Sequence, residues 1–107
     1  MTTDEVIVLI TASSSDEAVK IATALVNEHL AACVNIVPEV RSLFFWEGRT
    51  QNASEVLLIC KGRLQFVEKL IIRVKELHSY TMPEIIALPI IAGSREYLDW
   101  IRETVKT

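Results

Sequence analysis

The spacing of apolar residues predicts an α+β fold with the element order β-α-β-β-α-β-α. Three observations lead there. Residues 6–10, 33–47, 56–60 and 85–91 are dense in Val, Ile, Leu and aromatic side chains, as strands are. Residues 16–29, 64–77 and 95–105 instead repeat their apolar side chains at helical spacing. Small, polar or proline-containing stretches separate the two kinds of segment.

The first strand, Val6-Ile7-Val8-Leu9-Ile10, is a continuous β-branched and leucine run, which is the pattern of a buried strand. Thr11 to Ser15 is small and polar. Ser14 followed by Glu17 forms a capping box, and Asp16 suits the positive end of a helix. Ala18, Ala22, Leu25 and Val26 define the apolar face of that helix, with Asp16, Lys20, Asn27 and Glu28 largely opposite. Residues 33–47 read as a long strand, and Pro38 inside it requires an edge or a bulge. Glu47-Gly48-Arg49 turns the chain, so residues 33–61 form a hairpin with a long arm. Leu64, Val67, Leu70, Ile71, Val74 and Leu77 carry the second helical stripe, with Glu68, Lys69, Arg73, Lys75 and Glu76 mostly on its solvent side. Tyr80 to Pro83 ends it, and Pro89 places the next strand at an edge. Gly93-Ser94 opens the last helix, which holds Tyr97, Leu98, Trp100 and Ile101.

The first six elements form the split βαβ, or ferredoxin-like, arrangement. Its halves echo each other: Asn27-Glu28-His29 and Glu76-Leu77-His78 each close a helix before a strand. Both crossover helices then cover one face of the sheet. In a monomer the other face would be wet, and the strands would alternate apolar and polar. They do not: Leu43-Phe44-Phe45-Trp46, Val56-Leu57-Leu58-Ile59 and Ile85-Ile86-Ala87-Leu88 are apolar at both parities. Such a face spans roughly 350 Å² in flat projection, more than soluble monomers usually expose. Burial against other copies of the chain is expected. The alternative is that the third helix and the hairpin arm fold back over this face.

A length of 107 residues fits one domain, residues 1–107. Half of the residues are apolar, enough for a core without disulfide staples. Cys33 and Cys60 lie outside any CxxC and read as buried small hydrophobes in a reducing compartment. With a net charge of −3 and scattered Lys and Arg, no nucleic-acid partner is expected. No apolar run approaches the roughly 20 residues of a membrane span. The start, Met1-Thr2-Thr3-Asp4-Glu5, is acidic where a signal peptide is basic. The expectation is a cytoplasmic protein with no membrane partner. No GxSxG, P-loop or GxGxxG is present, and Ser13 to Ser15 read as a helix cap, which argues against an enzyme.

Several blocks carry a family resemblance. Val8-Leu9-Ile10-Thr11-Ala12 resembles the first strand of the CutA divalent-cation-tolerance family, and residues 30–38, Leu30 to Pro38, resemble its second. Phe45-Trp46-Glu47-Gly48 resembles its hairpin turn, and Tyr97-Leu98-Asp99-Trp100 its closing helix. Glu76-Leu77-His78-Ser79-Tyr80 with residues 83–90 is similar to its most distinctive signature. The resemblance implies a ferredoxin-like subunit in a homotrimer packed through its sheets. It also implies a link to divalent-cation tolerance, with copper the metal usually named. Ser13 and Ser79 depart from the pattern, standing where many members have proline. Ile10 and Leu77 also depart, offering no thiol and no second imidazole.

Among candidate ligands, His78 ends a helix, with Glu84 six residues on. Imidazole and carboxylate suit Cu(II) or another divalent cation such as Zn(II). The plainer reading is a histidine favoured by the helix C-terminus, which also serves for His29. Cys33 as a thiolate would bind soft metals, and as a core residue would do nothing chemical. Trp46, Lys61, Tyr80 and Glu84 are candidates to line a cleft between subunits, with interface packing as the alternative. Two functions follow: metal binding in a metal-response protein, or small-ligand binding by a trimeric regulatory module.

Overall fold

The structure, a computed structural model, describes residues 4–107. Met1 to Thr3, the start of the acidic N-terminus, lie outside the described residues. The order is β1 (Glu5–Ala12), α1 (Ser15–Asn27), β2 (Cys33–Trp46), β3 (Arg49–Arg63), a 3-10 turn (Leu64–Phe66), α2 (Val67–Leu77), β4 (Ile85–Pro89) and α3 (Arg95–Thr104). The strands form one antiparallel sheet in the order β2-β3-β1-β4, the ferredoxin-like arrangement expected. Both proline assignments hold for the expected reason. Pro38 sits on edge strand β2 within the irregularity between Val37 and Val40, and Pro89 ends the opposite edge strand β4.

Local chemistry sets the element ends. Ser14 caps α1, its hydroxyl accepting from the Glu17 N–H at 3.1 Å. The helix closes earlier than its apolar pattern implied. His29 takes φ +60°, and the Leu30 N–H folds back onto the Leu25 carbonyl at 2.9 Å. The β2–β3 turn is the two-residue Glu47-Gly48, both with positive φ, which matches the right-handed twist of the flanking strands.

Alternate residues of the central strands separate the two faces. Val6, Val8, Ile10 and Ala12 of β1, with Val56, Leu58 and Cys60 of β3, lie under α1 and α2. They meet Ala18, Ile21 and Leu25 of α1 and Leu70 and Val74 of α2 in one continuous core. Each large member that is wholly buried, such as Ile10, Ile21 or Leu58, contributes on the order of 1.5–3 kcal/mol. Val26, expected on the apolar face, is exposed, and Ile21, not assigned from the sequence, faces this core instead.

The opposite face carries Ile7 and Leu9 of β1, Leu57 and Ile59 of β3, and Ile86 and Leu88 of β4. Helix α3 covers one end of it. Ile101 and Val105 are fully buried, Arg102 pairs with Glu5 at 3.5 Å, and Arg63 donates to the Val105 carbonyl at 3.1 Å. The rest stays open, with Ile86 49% and Leu88 47% exposed. Among the described residues, no helix is long and apolar enough to cross a membrane.

Candidate functional site

Strand β1 pairs with β3 only as far as Val56, so the hairpin beyond Val56 projects past the sheet as a two-stranded arm. The irregular connection between α2 and β4 runs beneath it. Between them lies a cleft of about 750 Å³. Its apolar wall includes Leu43, Trp46 and Met82; its polar groups include Arg41, Glu55, Tyr80 and Glu84. The Tyr80 hydroxyl donates to Glu55 Oε2 at 2.8 Å. Burial pushes the Tyr80 phenol up to about 12, and the Glu55 carboxylate adds to the shift.

Three of the expected cleft residues, Trp46, Tyr80 and Glu84, therefore meet within one chain. Lys61 does not join them. It pairs across the hairpin with Cys33 and across β1 with Ile7, and its Nζ donates to Asn35 Oδ1. Thr11 lines the cleft, so Lys61 is four strand residues away, roughly 13 Å.

The expected ligand set of His78, Glu84 and Cys33 is likewise not assembled. The His78 side chain is fully buried. Its Nε2 lies 2.7 Å from the Thr11 carbonyl, and its Nδ1 accepts the Tyr80 N–H at 3.1 Å. Both ring nitrogens are engaged, so the imidazole offers no free lone pair to an ion. Cys33 is half-buried in the Lys61 row, again roughly 13 Å along the strands from the Thr11 row. Donors about 2 Å from one ion cannot be so far apart. Tyr97 lies beside Cys33, and burial followed by that thiol pushes the Tyr97 phenol up. Cys60 is fully buried, as expected, and burial pushes its thiol up to about 12. Among the described residues, no three His, Cys, Asp or Glu side chains are grouped to hold a metal ion. Glu84 alone of the expected set faces open space, in the cleft.

Glu17 escaped the sequence reading as a site residue. Its Oε1 accepts the N–H and the hydroxyl of Ser13 at 2.9 and 3.0 Å, and its Oε2 accepts the Ser79 N–H at 2.7 Å. Burial raises the Glu17 carboxyl, but the Ser13 and Ser79 hydrogen bonds outweigh that and hold it at about 2. Glu17→Ala should cost about 1.5–3 kcal/mol at neutral pH, the usual loss for hydrogen bonds to a charged group. Because the folded pKa lies below the ordinary 4.5, this contribution is complete above pH 4.5. It should shrink as the pH falls and vanish as the pH passes through about 2. Denaturant unfolding of both proteins across that range, at one fixed concentration, measures the gap.

The profile of the CutA1 divalent ion tolerance protein family matches residues 6–104. The chain is 54% identical over 99 residues to a divalent-cation tolerance protein CutA from Thermus thermophilus, covering 92% of this chain and 96% of that protein. It is 43% identical over 105 residues to a chloroplastic protein CutA from Arabidopsis thaliana, covering 98% of this chain and 58% of that longer protein. Among solved structures, that of a Thermus thermophilus divalent cation tolerance protein superposes with a TM-score of 0.94 at 53% identity. That superposition covers 95% of this chain and 99% of the other. CutA1 from Oryza sativa superposes with a TM-score of 0.94 at 39% identity, over 98% of this chain and 96% of the other.

Proposed function

The chain belongs to the CutA1 divalent ion tolerance family, and from that premise we propose that it is a cytoplasmic homotrimer that binds divalent cations, copper foremost, as a non-catalytic metal-response protein. The observation that carries the assembly is the open apolar face, with Ile86 49% and Leu88 47% exposed, continued along the arm by Phe44 42% and Trp46 43% exposed. An apolar surface of this kind on one chain is relieved by a second copy. The number three is the one that the family resemblance implies.

Cation binding is supported by the family and by the placement of Glu84. Its carboxylate is exposed in the cleft beneath the arm, where a neighbouring subunit can add further donors. One chain supplies too few ligands, so a cation would complete its shell between subunits. A second reading, small-ligand binding in the same clefts, is favoured by Trp46, Tyr80 and Arg41 along one cleft of about 750 Å³. Calorimetric titration with Cu(II), Zn(II) and nucleotides separates the two. Saturable Cu(II) binding at neutral pH that is lost in Glu84→Gln is expected. Nucleotide heat with no metal heat would transfer the site to the second reading.

A further inference from the structure

The α2–β4 connection forms the inner wall of the cleft without help from a helix or strand. Two side chains take up its first main-chain donors. The Ser79 N–H goes to Glu17 Oε2 at 2.7 Å, and the Tyr80 N–H goes to His78 Nδ1 at 3.1 Å. The His78 ring is in turn fixed against the Thr11 carbonyl at 2.7 Å. From the same short segment the Tyr80 hydroxyl reaches Glu55 at the base of the arm, at 2.8 Å.

Glu17 is placed unusually for a capping residue. In a capping box its carboxylate would return to the N–H of the cap residue, Ser14. Here Oε1 lies one residue earlier, on Ser13, and Oε2 is turned to Ser79, 62 residues away in sequence. The carboxylate is 11% exposed, its Oε1 is 3.9 Å from His78 Nδ1, and the Ser13 and Ser79 hydroxyls approach to 3.4 Å beside it. A motif that is local in sequence thus holds together two distant parts of the chain.

We propose that Glu17 is a positioning residue for the cleft, holding the connection from His78 to Tyr80 so that the Tyr80 hydroxyl stays on Glu55. The N-terminal turn of α1 is thereby coupled to the cleft wall. Any ligand that contacts Tyr80 or Glu55 meets a wall already ordered, and loosening Glu17 would charge that ordering to binding. The inference is independent of what the cleft binds.

Amide hydrogen exchange read residue by residue tests it, on the intact assembly near neutral pH. Glu17→Asp keeps the charge and suits a helix N-terminus but is one methylene short of Ser79. Glu17→Ala removes the acceptor altogether. In both variants the Ser79 and Tyr80 amides should exchange at least about tenfold faster, through a local opening in which sheet amides such as Val8 and Leu58 stay protected and follow only the global stability loss. Tyr80 is the decisive reporter, because its N–H does not touch Glu17. An unchanged Tyr80 rate in either variant would reduce Glu17 to a cap on one amide and sink the proposal. Ser79 and Tyr80 amides that exchange no faster than Val8 and Leu58 would sink it too, by making Glu17 a contributor to global stability only.

Discussion

Ile59→Glu should break the proposed homotrimer, of about three times the 12.1 kDa chain mass, into a folded monomer at micromolar concentration. Ile59 lies in the middle of β3, opposite Leu9 on one side and Asn35 on the other, on the face turned away from α1 and α2. In a free subunit Ile59 is half-buried on this face, so a glutamate there costs the fold less than it costs a contact between copies. Between subunits the same carboxylate would be buried without a partner, a penalty of several kcal/mol. At about 1.4 kcal/mol for each tenfold change, assembly weakens by roughly a thousandfold or more. Trp46→Ala removes an aromatic that is 43% exposed on the arm, and should weaken assembly by around 2 kcal/mol. Sedimentation equilibrium over a dilution series reads both. An Ile59→Glu protein that stays at the parent mass would show that the open face is not the contact between copies.

How well each part of this fold could be read follows from which forces built it. Pro38 and Pro89 marked the two edge strands because a missing N–H has the same consequence in any sequence. The two-sided apolar strands announced the open face, since parity alone assigns side chains to faces. Strand β3 was read as residues 56–60 but runs from Arg49 to Arg63. Its missing half, Thr50-Gln51-Asn52-Ala53-Ser54, has no apolar signal, because the arm is extended by pairing with β2 and not by burial. The exchange of Val26 for Ile21 in the core is a rotation of less than a turn about α1, which the spacing of alanines leaves poorly fixed.

The site was harder to read because its contacts are long-range. Trp46, Tyr80 and Glu84 do share a cleft. Lys61 could have been set aside from the sequence, since a hairpin turning at Glu47-Gly48 must put Trp46 and Lys61 at opposite ends. Glu17 was visible as a cap, yet nothing near it in sequence names Ser79 as its second partner. His78 was read as a candidate ligand because it ends a helix with Glu84 six residues on. Its burial depends on the Thr11 carbonyl, on a strand 67 residues earlier.

His78→Ala should therefore act on stability and not on copper. The substitution empties the space of a fully buried side chain and removes a ring whose two nitrogens are both bonded. It leaves the Tyr80 N–H without its acceptor and the Thr11 carbonyl without its donor. Cavity and unpaired polar groups together should cost about 3 kcal/mol or more, among the largest losses from one side chain outside the apolar core. Denaturant unfolding at fixed protein concentration measures that loss. Cu(II) titration of the same variant, well below its melting temperature, should give the parent affinity, while Glu84→Gln abolishes binding with little change in stability. The two variants thus separate a packed imidazole from an exposed carboxylate. If His78→Ala instead kept full stability and lost Cu(II), the ring would have to leave Thr11 and Tyr80 to meet the ion, and His78 would be a ligand after all.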